Sequence, residues 1–379
     1  MAEFKSQDEK TKQAFSMIEQ GVKDVYSSES FKQYLSCLSK FHSYSLNNTL
    51  LILSQKPEAS LVAGYRAWQT NFNRHVNKGA IFVDIKGFPQ DIYVPDGRNA
   101  GYIEYIHGGV ARNVVEDIAN LGLNSTFVSI VDNTALGEDV KQRLQNRNVN
   151  TDYMKSIENG MGTWLAVFDH NGELAGSISH RPNLMPIYSI LEENGDTIIE
   201  NSDSVVAEID MDEEIVEKVV YLCQKHNKKL FGVVSNMNIA IERKDLLKQF
   251  DCLICNQLES SILFSRDFKE MSAEELSHTL IDELQQSEFN SLIVTLGEAG
   301  SLYVKNNGES GFCQARQIEV KDTTGAGDAF CAGTSAGLTY GKSMLEAMKI
   351  GSHLASSVIA SCENVCPCFS QDKFDIVKK

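Results

Sequence analysis

The sequence has no long apolar run, and none of its hydrophobic stretches approaches the roughly 18–20 residues that a membrane-spanning helix needs. Its N-terminal stretch, MAEFKSQDEK, is polar and lacks the apolar core of a secretory leader. Internal repeats and low-complexity segments are absent too. These absences argue against a membrane partner and against secretion, and they predict a cytoplasmic location.

The overall composition is that of a globular protein. Hydrophobic residues make up 42% of the 379 residues and charged residues 23%. This balance excludes a mostly disordered chain, a collagen-like repeat and a disulfide-rich miniprotein. At about 100–200 residues per domain, the length predicts two domains or one large domain with an appendage.

The formal net charge of −16 is unevenly distributed. Residues 1–79 hold ten Lys and Arg against seven Asp and Glu, whereas the rest of the chain holds 25 against 44. The acidic body disfavours nonspecific binding of nucleic acid, which the slightly basic head would tolerate.

The nine cysteines of a chain without a secretory leader are predicted to be reduced thiols. Cys252 and Cys255 form a C-x-x-C pair inside an apolar run, and Cys366 and Cys368 form a C-x-C pair with Cys362 nearby. Zinc needs about four ligands in a closed arrangement. Structural thiols are therefore favoured over a metal site.

The chain changes its pattern at about residue 80. Residues 1–79 have apolar residues at helical spacing and predict a separate, mainly helical domain. In residues 80–379, short β-rich runs such as 126–131 alternate with helical patterns such as 110–121, 211–226 and 272–286. This alternation predicts a mostly parallel sheet covered by helices. Two ribbon-like stretches, at about 88–107 and 162–180, interrupt it and are predicted to form a lid, and the second is predicted to turn at His-Asn-Gly, residues 170–172.

The strongest motif is DTTGAGDAFCAG, residues 322–333. Gly325, Ala326 and Gly327 are small, so their backbone amides can approach an anion closely. A helix is predicted to begin at about Gly327, where its positive dipole end adds to the anion site. Asp328 falls in the first turn, where its carboxylate can orient a substrate hydroxyl. This combination is typical of phosphoryl transfer, and a tight turn with a capping Asp is the structural alternative.

This string is the signature of the ribokinase-like, or PfkB, carbohydrate kinases, and the sequence resembles that family from about Ile81 to its end. Three further pieces follow the family's order, namely GGVARN (108–113), NQLE (256–259) and TLGEAGSLY (295–303). Each is weak alone, because such turns often occur by chance, but their order and spacing reinforce one another. The resemblance implies an α/β fold with a mostly parallel sheet flanked by helices and a β-ribbon lid.

The resemblance also implies roles for single residues. Asp328 would be the catalytic base, and the anion hole would be formed by Gly325, Ala326 and Gly327. The acceptor substrate would be bound by Asp84, Gly108, Gly109 and Asn113. ATP would be bound by Asn256, Thr295, Gly297, Gly300 and Thr323. Mg²⁺ would be placed indirectly by Asn256 and Glu259, and Asp322 lies near the position where family members often hold a monovalent cation such as K⁺.

Two segments indicate which kinases within the family this sequence resembles most. VDIKGFP (83–89) and YIEYIHGGVARNVVEDIANLG (102–122) resemble pseudouridine kinases more than ribokinases or fructokinases. The implied reaction converts ATP and pseudouridine to ADP and pseudouridine 5′-phosphate. Arg112 is a candidate for reading the base only through its place in GGVARN, and an arginine on a helix surface is the equal alternative. A homodimer is compatible with the sequence.

Three positions depart from the family pattern. Where the family has Gly-Gly-Ala-Asn on its first strand, this chain has Gly79, Ala80, Ile81 and Phe82, so the start of that strand is altered. The family's Gly-Asp-Asp is replaced by Asp-Asn-Thr at 132–134. Near the C-terminus, Cys-Pro-Cys at 366–368 stands where relatives often have Asn-Pro-Asn.

The segment before residue 80 resembles a different family. Phe41 to Gly79 is similar to the single-stranded-DNA-binding domain of ArdC-type antirestriction proteins, and the resemblance stops early, at about Gly79. Aromatic and basic residues are interleaved in this segment, as in surfaces that stack bases and neutralise phosphates: Phe41, His42, Tyr44, Tyr65, Arg66, Trp68, Phe72, Arg74 and His75. A small helical core built on Tyr65, Trp68 and Phe72 is the equal alternative.

The leading hypothesis is therefore an ATP-dependent nucleoside or sugar kinase with a helical head that binds single-stranded DNA weakly at most. The alternative from another class is a single-stranded-DNA-binding protein whose kinase-like body is degenerate or regulatory. A third hypothesis is an accidental gene fusion with a head that has no partner.

Overall fold

The computed structural model describes residues 81–209, 211–234 and 242–376. The predictions made for residues 1–79, including the helical head and its DNA binding, lie outside the described residues. The proposed boundary at 79/80 likewise stays a prediction. No helix in the described ranges is long and apolar enough to cross a membrane.

Fourteen strands lie within the described ranges. They are β1 (Phe82–Pro89), β2 (Gly101–Gly108), β3 (Ser125–Thr126), β4 (Ser129–Asp132), β5 (Val149–Asn150), β6 (Met154–Ile157), β7 (Gly162–Phe168), β8 (Leu174–His180), β9 (Ser204–Glu208), β10 (Lys229–Val233), β11 (Cys252–Asn256), β12 (Ser291–Thr295), β13 (Ser301–Lys305) and β14 (Ser310–Cys313). The largest sheet has six strands in the order β14-β13-β12-β11-β10-β9, with β9 to β12 parallel.

The described helices are α1 (Val110–Asn120), α2 (Ala135–Asn146), α3 (Met185–Glu200), α4 (Glu213–Lys225), α5 (Lys244–Leu247), α6 (Gln257–Leu263), α7 (Ala273–Ser287), α8 (Ala326–Thr339) and α9 (Met344–Ile359). The helices predicted over 110–121, 211–226 and 272–286 are found as α1, α4 and α7.

Helices cover both faces of the six-stranded sheet. Side chains along each strand point alternately to the two faces, as period-2 geometry requires. On β12, for example, Leu292 and Val294 join the apolar cluster under α3, α4 and α7, whereas Ile293 joins the cluster under α1, α8 and α9. Continuous apolar runs are what a parallel sheet buried on both faces needs.

A second sheet of four strands has the order β2-β1-β7-β8. It contains most of the two predicted lid ribbons. The second ribbon turns at the predicted His-Asn-Gly, where Gly172 has a φ of 77° and Asp169 Oδ1 accepts from the backbone N–H groups of Asn171 and Glu173. Within the described ranges, β1 pairs with β2 and β7 alone, so this sheet is not continuous with the six-stranded one.

One predicted element differs in the structure. The strand expected over 126–131 is divided into β3 and β4, which pair with β5 and β6 as two small separate sheets. Neither small sheet pairs with the six-stranded sheet in the described part of the chain. The departure at 132–134 begins α2, where Thr134 is the N-cap and its side chain accepts from Gly137 N.

Candidate active site

The DTTGAGD motif forms a turn that leads into α8. Gly325 is the N-cap residue with a φ of 79°, a left-handed conformation that glycine adopts without strain. A Cβ atom at this position would lie 2.0 Å from the backbone O of Asn364, so a side chain is excluded there. Ala326 and Gly327 follow in the first turn, where backbone N–H groups lack the carbonyl partner of a helix interior. The N–H of Ala326 donates 3.3 Å to the backbone O of Thr323. Anion binding by this turn stays a prediction.

Asp328 contacts the glycine-pair motif directly. Its side chain is buried, and Oδ2 accepts a 2.8 Å hydrogen bond from Nδ2 of Asn113 on α1. Helix α1 begins after Gly109, whose φ of 102° again suits only glycine. The first turns of α1 and α8, which are far apart in the sequence, thus meet at the predicted catalytic carboxylate.

Asp84 lies on β1, next to the last residue of β2. A Cβ atom on Gly108 would lie 3.4 Å from Oδ2 of Asp84, so the two predicted substrate-binding positions are adjacent. Burial raises the pKa of Asp84 to about 6, although the Lys86 ammonium opposes the shift. The carboxylate thus titrates close to neutral pH.

Lys86 was not singled out by the sequence, although it follows Asp84 at the same-face spacing of a strand. Its charge acts on Asp84 and also on Asp322 at the start of the DTTGAGD turn. Partial burial alone would raise the pKa of Asp322, but hydrogen bonds from Thr324 N and Oγ1, both 2.8 Å, together with Lys86 leave this pKa below its ordinary value. Lys86 thereby places a cation near the predicted phosphoryl-transfer centre.

Arg112 is fully buried, which removes the alternative of a surface arginine. Its guanidinium donates 2.7 Å to Oδ1 of Asn113 and lies 2.5 Å from Oε2 of the equally buried Glu116. Because Oδ1 of Asn113 is held by Arg112, its Nδ2 group is directed to Asp328. Arg112 therefore positions the side chain of Asn113 in this structure, and its guanidinium is not exposed to contact a base.

The C-terminal segment around residues 364–368 packs against β2 and α1. Asn364 Nδ2 donates 2.6 Å to the backbone O of His107 on β2. The backbone N–H of Cys366 donates 2.6 Å to Oδ1 of Asp117 on α1, a carboxyl whose pKa burial raises to about 8. The Cys-Pro-Cys departure therefore packs against α1 through main-chain hydrogen bonds. This contact joins positions that are distant in the sequence and has no local sequence signal.

Two of the predicted nucleotide residues, Asn256 and Thr295, lie opposite each other at the carboxyl ends of the neighbouring strands β11 and β12. A third, Thr323, belongs to the turn before α8. Asn256 and Glu259 form a capping box at the start of α6: Asn256 Oδ1 accepts from Glu259 N, and Glu259 Oε2 accepts from Asn256 N, both 2.8 Å. Gly297 and Gly300 have φ values of 61° and 119° in the turn before β13. The carboxyl edge of a parallel sheet is where α/β proteins bind ligands.

The described cysteines are not grouped with other metal-ligating side chains. Among the residues that the structure describes, no group of three or more His, Cys, Asp or Glu is placed to hold a metal ion. Cys252 and Cys255 are buried in β11, and burial raises the pKa of Cys252 to about 12. Both are free thiols with the properties of small core residues.

The lid sheet is rich in aromatic side chains near Asp84, a feature the sequence did not reveal. Trp164 lies opposite Asp84 in the pairing of β1 with β7. Farther along β1, the Phe88 ring stacks on Tyr102 at 5.0 Å and on Phe168 at 4.8 Å between centroids. A flat aromatic ligand would find stacking partners on this sheet.

Comparison with known proteins agrees with this geometry. The model of the pfkB family carbohydrate kinases matches residues 76–369. Guanosine-inosine kinase from Exiguobacterium acetylicum is 34% identical over 288 residues, which cover 76% of this chain and 94% of that enzyme. Pseudouridine kinase from Escherichia coli K12 is 25% identical over 287 residues, which cover 75% and 90%. The structure of Arabidopsis thaliana ribokinase complexed with ribose and ATP has a TM-score of 0.69 and 20% identity, and covers 78% of this chain and 96% of that one.

These findings confirm the predicted ribokinase-like α/β fold. They do not support the predicted closer resemblance to pseudouridine kinases. The guanosine-inosine kinase is 34% identical to this chain, and the pseudouridine kinase is 25% identical. The resemblance of the N-terminal segment to ArdC-type proteins is not supported by any of these matches.

Proposed function

The chain belongs to the pfkB family of carbohydrate kinases, and from this premise we propose that it transfers the γ-phosphoryl group of ATP to the 5′-hydroxyl of a ribonucleoside. The observation that carries the proposal is the hydrogen bond from Asn113 to Asp328. This bond joins the substrate-side glycine pair to the anion-binding turn at one buried carboxylate, the arrangement that hydroxyl activation needs.

In the proposed reaction, Asp328 accepts the proton of the acceptor hydroxyl while the oxygen of that hydroxyl forms a bond to the γ-phosphorus. The bond between the γ-phosphorus and the bridging oxygen of ADP breaks. Charge that builds up on the transferring group is stabilised by the N–H groups at the start of α8 and by the helix dipole. Asp84 accepts hydrogen bonds from ribose hydroxyls and so orients the nucleoside.

The residues present fit a magnesium nucleotide. Mg²⁺ in phosphoryl-transfer sites is bound through one or two carboxylates together with phosphate oxygens. Glu259 is a buried carboxylate at the carboxyl edge of the sheet, and Asn256 fixes it there through the capping box. Bound Mg²⁺ would neutralise phosphate charge. Asp322 is proposed to lie beside a K⁺ ion, which would order the DTTGAGD turn.

For the acceptor, a purine ribonucleoside such as guanosine or inosine is the first candidate. Its support is the 34% identity to a guanosine-inosine kinase over nearly the whole of that enzyme. The aromatic lid sheet with Trp164, Phe88 and Tyr102 suits a flat base better than a lone sugar. Pseudouridine is the second candidate, supported by the motif resemblance and by the more distant match to a pseudouridine kinase.

The test is an ADP-release assay with ATP, Mg²⁺ and K⁺. Guanosine, inosine, pseudouridine, uridine, ribose and fructose are compared as acceptors at equal concentrations. We expect the highest kcat/KM with guanosine or inosine, and much slower turnover with ribose alone. Asp328→Asn is the control, because an amide can still accept the hydrogen bond from Asn113 but cannot accept the proton. The variant should lose about 10²–10⁴-fold in kcat.

Each result has a defined meaning. Preferential turnover of pseudouridine would replace the purine assignment and leave the kinase assignment intact. Equal turnover of ribose and nucleosides would show that the lid does not read the base. Turnover that survives in Asp328→Asn would contradict the role of Asp328, and no turnover of any acceptor by a cooperatively folded protein would refute the proposed activity.

A further inference from the structure

Helix α1 carries a second buried carboxyl, one turn beyond Asn113. Asn113 and Asp117 are four residues apart, so their side chains lie on the same face of the helix. Asn113 donates its 2.8 Å hydrogen bond to Asp328 of α8. Asp117 is fully buried and lies close enough to Asp328 for the charges of the two carboxyls to interact. The proposed base therefore has another carboxyl in its surroundings.

The contacts of the Asp117 carboxyl suit a neutral acid better than a carboxylate. The backbone N–H of Cys366 donates 2.6 Å to Oδ1. Oδ2 is buried and has no hydrogen-bond partner in the described part of the chain. A buried carboxylate needs several hydrogen bonds or a paired cation, and burying one without them is costly. A protonated carboxyl still accepts the bond from Cys366.

The charges around Asp117 favour the neutral form as well. Ionisable groups act on it from its own helix, from α8 and from the C-terminal segment: Arg112, Glu116, Asp328, Cys331 and Cys366. The pKa values of both thiols are raised by burial, so these groups are uncharged, and the buried Arg112 is already paired with Glu116. Burial raises the pKa of Asp117 to about 8; hydrogen bonds from Cys366 oppose this shift, and the charges of Asp328 and Glu116 add to it.

Asp117 also holds the C-terminal segment beside the turn before α8. Its partner Cys366 follows Asn364 by two residues, and the backbone O of Asn364 is the atom that a Cβ at Gly325 would meet at 2.0 Å. On the same helix, Nδ2 of Asn120 donates 2.7 Å to the backbone O of Cys366. Asp117 and Asn120 thus fix both main-chain polar groups of Cys366, and with them the segment that packs on the turn.

From these contacts, we propose that Asp117 is a positioning residue that acts as a neutral carboxylic acid. It holds the C-terminal segment against the turn before α8 without placing a second negative charge near Asp328. An ionised Asp117 would repel the anionic phosphoryl group that must approach Asp328. This effect on catalysis rests on the proposed kinase function, whereas the protonation of Asp117 and its bond to Cys366 do not.

The first experiment compares urea unfolding of the full-length protein and of Asp117→Asn between pH 5 and 9. Asparagine keeps an oxygen for the Cys366 N–H but cannot ionise. The pKa of Asp117 is about 8 in the folded state against an ordinary 3.8, so its contribution to stability is lost as the pH rises toward 8. We expect the unfolding constant of the unaltered protein, divided by that of Asp117→Asn, to rise about tenfold per pH unit from pH 5 to 7. Asp84 titrates in both proteins and cancels in this ratio.

Asn120→Ala is the matched control. It removes the other side-chain bond to Cys366, one turn along α1, and changes no ionisable group. We expect it to destabilise the protein by the same factor at every pH between 5 and 9. A dependence on pH like that expected for Asp117→Asn would overturn the assignment to Asp117.

Carbon-13 NMR of the unaltered protein, labelled at its aspartate carboxyls, decides the question even if a variant fails to fold. We expect one aspartate carboxyl to stay protonated at pH 7 and to titrate at about pH 8. Asp84, with a pKa of about 6, should be largely ionised at pH 7. If every aspartate carboxyl is ionised at pH 7, the proposal is wrong.

The pH profile of kcat tests the catalytic part. We expect kcat of the unaltered protein, divided by that of Asp117→Asn, to fall about tenfold between pH 7 and 9 as Asp117 ionises. A constant kcat ratio would contradict the effect on phosphoryl transfer, and a constant ratio of unfolding constants would overturn the neutral form. If no acceptor is turned over at any pH, the proposed function fails, and the unfolding and NMR results still decide the protonation of Asp117.

Discussion

Asp84 and Asp328 are carboxylates on the substrate side of one site, but their surroundings prepare them for different tasks. Asp328 is held by the amide of Asn113, which in turn is held by the buried Arg112. Asp84 is buried next to Gly108, and its pKa is raised by burial and lowered by the charge of Lys86. The proposed base, Asp328, is therefore held by a hydrogen-bonded chain, whereas the proposed binding group, Asp84, has a charge that depends on pH.

The pH dependence of kcat/KM should report Asp84. Its pKa is raised to about 6 by burial, so the carboxyl is protonated below about pH 6 and ionised above it. Only the ionised form accepts hydrogen bonds at both oxygens. We expect kcat/KM for the nucleoside to fall tenfold per pH unit below about pH 6. Profiles of the protein and of Asp84→Asn between pH 5 and 8 check this, and an unchanged acid limb in Asp84→Asn would assign the limb to another group.

Arg112 should stabilise the site through the ion pair with Glu116. Both side chains are fully buried, and removing one partner of a buried pair costs about 3–5 kcal/mol. We expect Arg112→Met to lose stability near the lower end of that range, since Arg143 still lies 3.2 Å from Oε1 of Glu116. Urea unfolding measures the difference.

The matched control for that substitution is Arg147→Met. Arg147 is half-exposed and lies 3.7 Å from the same carboxylate, so its loss should cost less than about 1 kcal/mol. If the two variants lose similar free energies of unfolding, burial of the Arg112–Glu116 pair does not determine its contribution to stability. The double variant Arg112→Met with Glu116→Gln should recover part of the stability, because it also removes the buried charge that Arg112→Met leaves paired only with the partly exposed Arg143 and Arg147.

These residues also show what the sequence could and could not predict. Asp328 and the small residues before it were predicted from local chemistry, because small residues before a helix with an acid in its first turn suit phosphoryl transfer. Asn113 was predicted only through the family resemblance of GGVARN. Arg112 could not be placed, because the i,i+4 spacing puts Glu116 beside it but does not reveal that both are buried or that the sequence-distant Asn364 contacts it. Lys86 follows a predicted site residue by two positions, and the same-face spacing of a strand was the signal that could have identified it.

At the scale of elements, the site depends on how closely three segments approach one another. The turn before α8 passes the C-terminal segment at Asn364, and that segment is held on α1 through Asp117 and Asn120. The Cys-Pro-Cys departure keeps these contacts because they use its backbone N–H and C=O groups. A change of side chains at this place therefore does not by itself remove the support of α8.

Gly325 should tolerate no side chain. Its φ is positive, and a Cβ would lie 2.0 Å from Asn364 O, so Gly325→Ala must displace either the anion-binding turn or the C-terminal segment. We expect a loss of activity of at least a hundredfold and a loss of stability above the roughly 1–2 kcal/mol that a left-handed alanine costs. Steady-state kinetics and urea unfolding measure both.

Gly341→Ala is the comparison for this change. Gly341 has a φ of 83° just beyond α8, and a Cβ there would meet no atom within 4 Å. It therefore reports backbone strain without a clash. If both variants lose the same stability and keep their activity, the close approach at Asn364 has no functional importance.

The division of the expected strand 126–131 into β3 and β4 is an element-scale difference with a physical reason. The apolar pattern predicts a buried strand, and Ile130 and Val131 are indeed buried. A continuous strand needs one neighbour along the whole segment, whereas this segment pairs with β5 at Ser125–Thr126 and with β6 at Ser129–Asp132. Periodicity predicts that a segment is extended, but it cannot show which strand lies beside it.

At the scale of the whole molecule, the predicted nucleotide residues Asn256 and Thr295 lie at one edge of the six-stranded sheet. The part of the chain that carries them follows an N-terminal segment of different composition. The parallel order of β9 to β12 followed from the alternation of strands and helices, because short crossovers place successive strands side by side.

Nucleotide binding should therefore stabilise one part of the chain selectively. A ligand that binds only the folded state adds about 2.7 kcal/mol at one hundred times its Kd. If the full-length protein unfolds in two steps, ATP with Mg²⁺ should raise the midpoint of one step and leave the other unchanged, and guanosine should raise the same step further. Differential scanning calorimetry of the protein and of Asp328→Asn measures both steps. Because the variant keeps the nucleotide residues at β11 and β12, ATP should shift its unfolding midpoint as much as that of the unaltered protein. If the shift is lost in Asp328→Asn, the carboxylate binds the nucleotide as well as activating the hydroxyl.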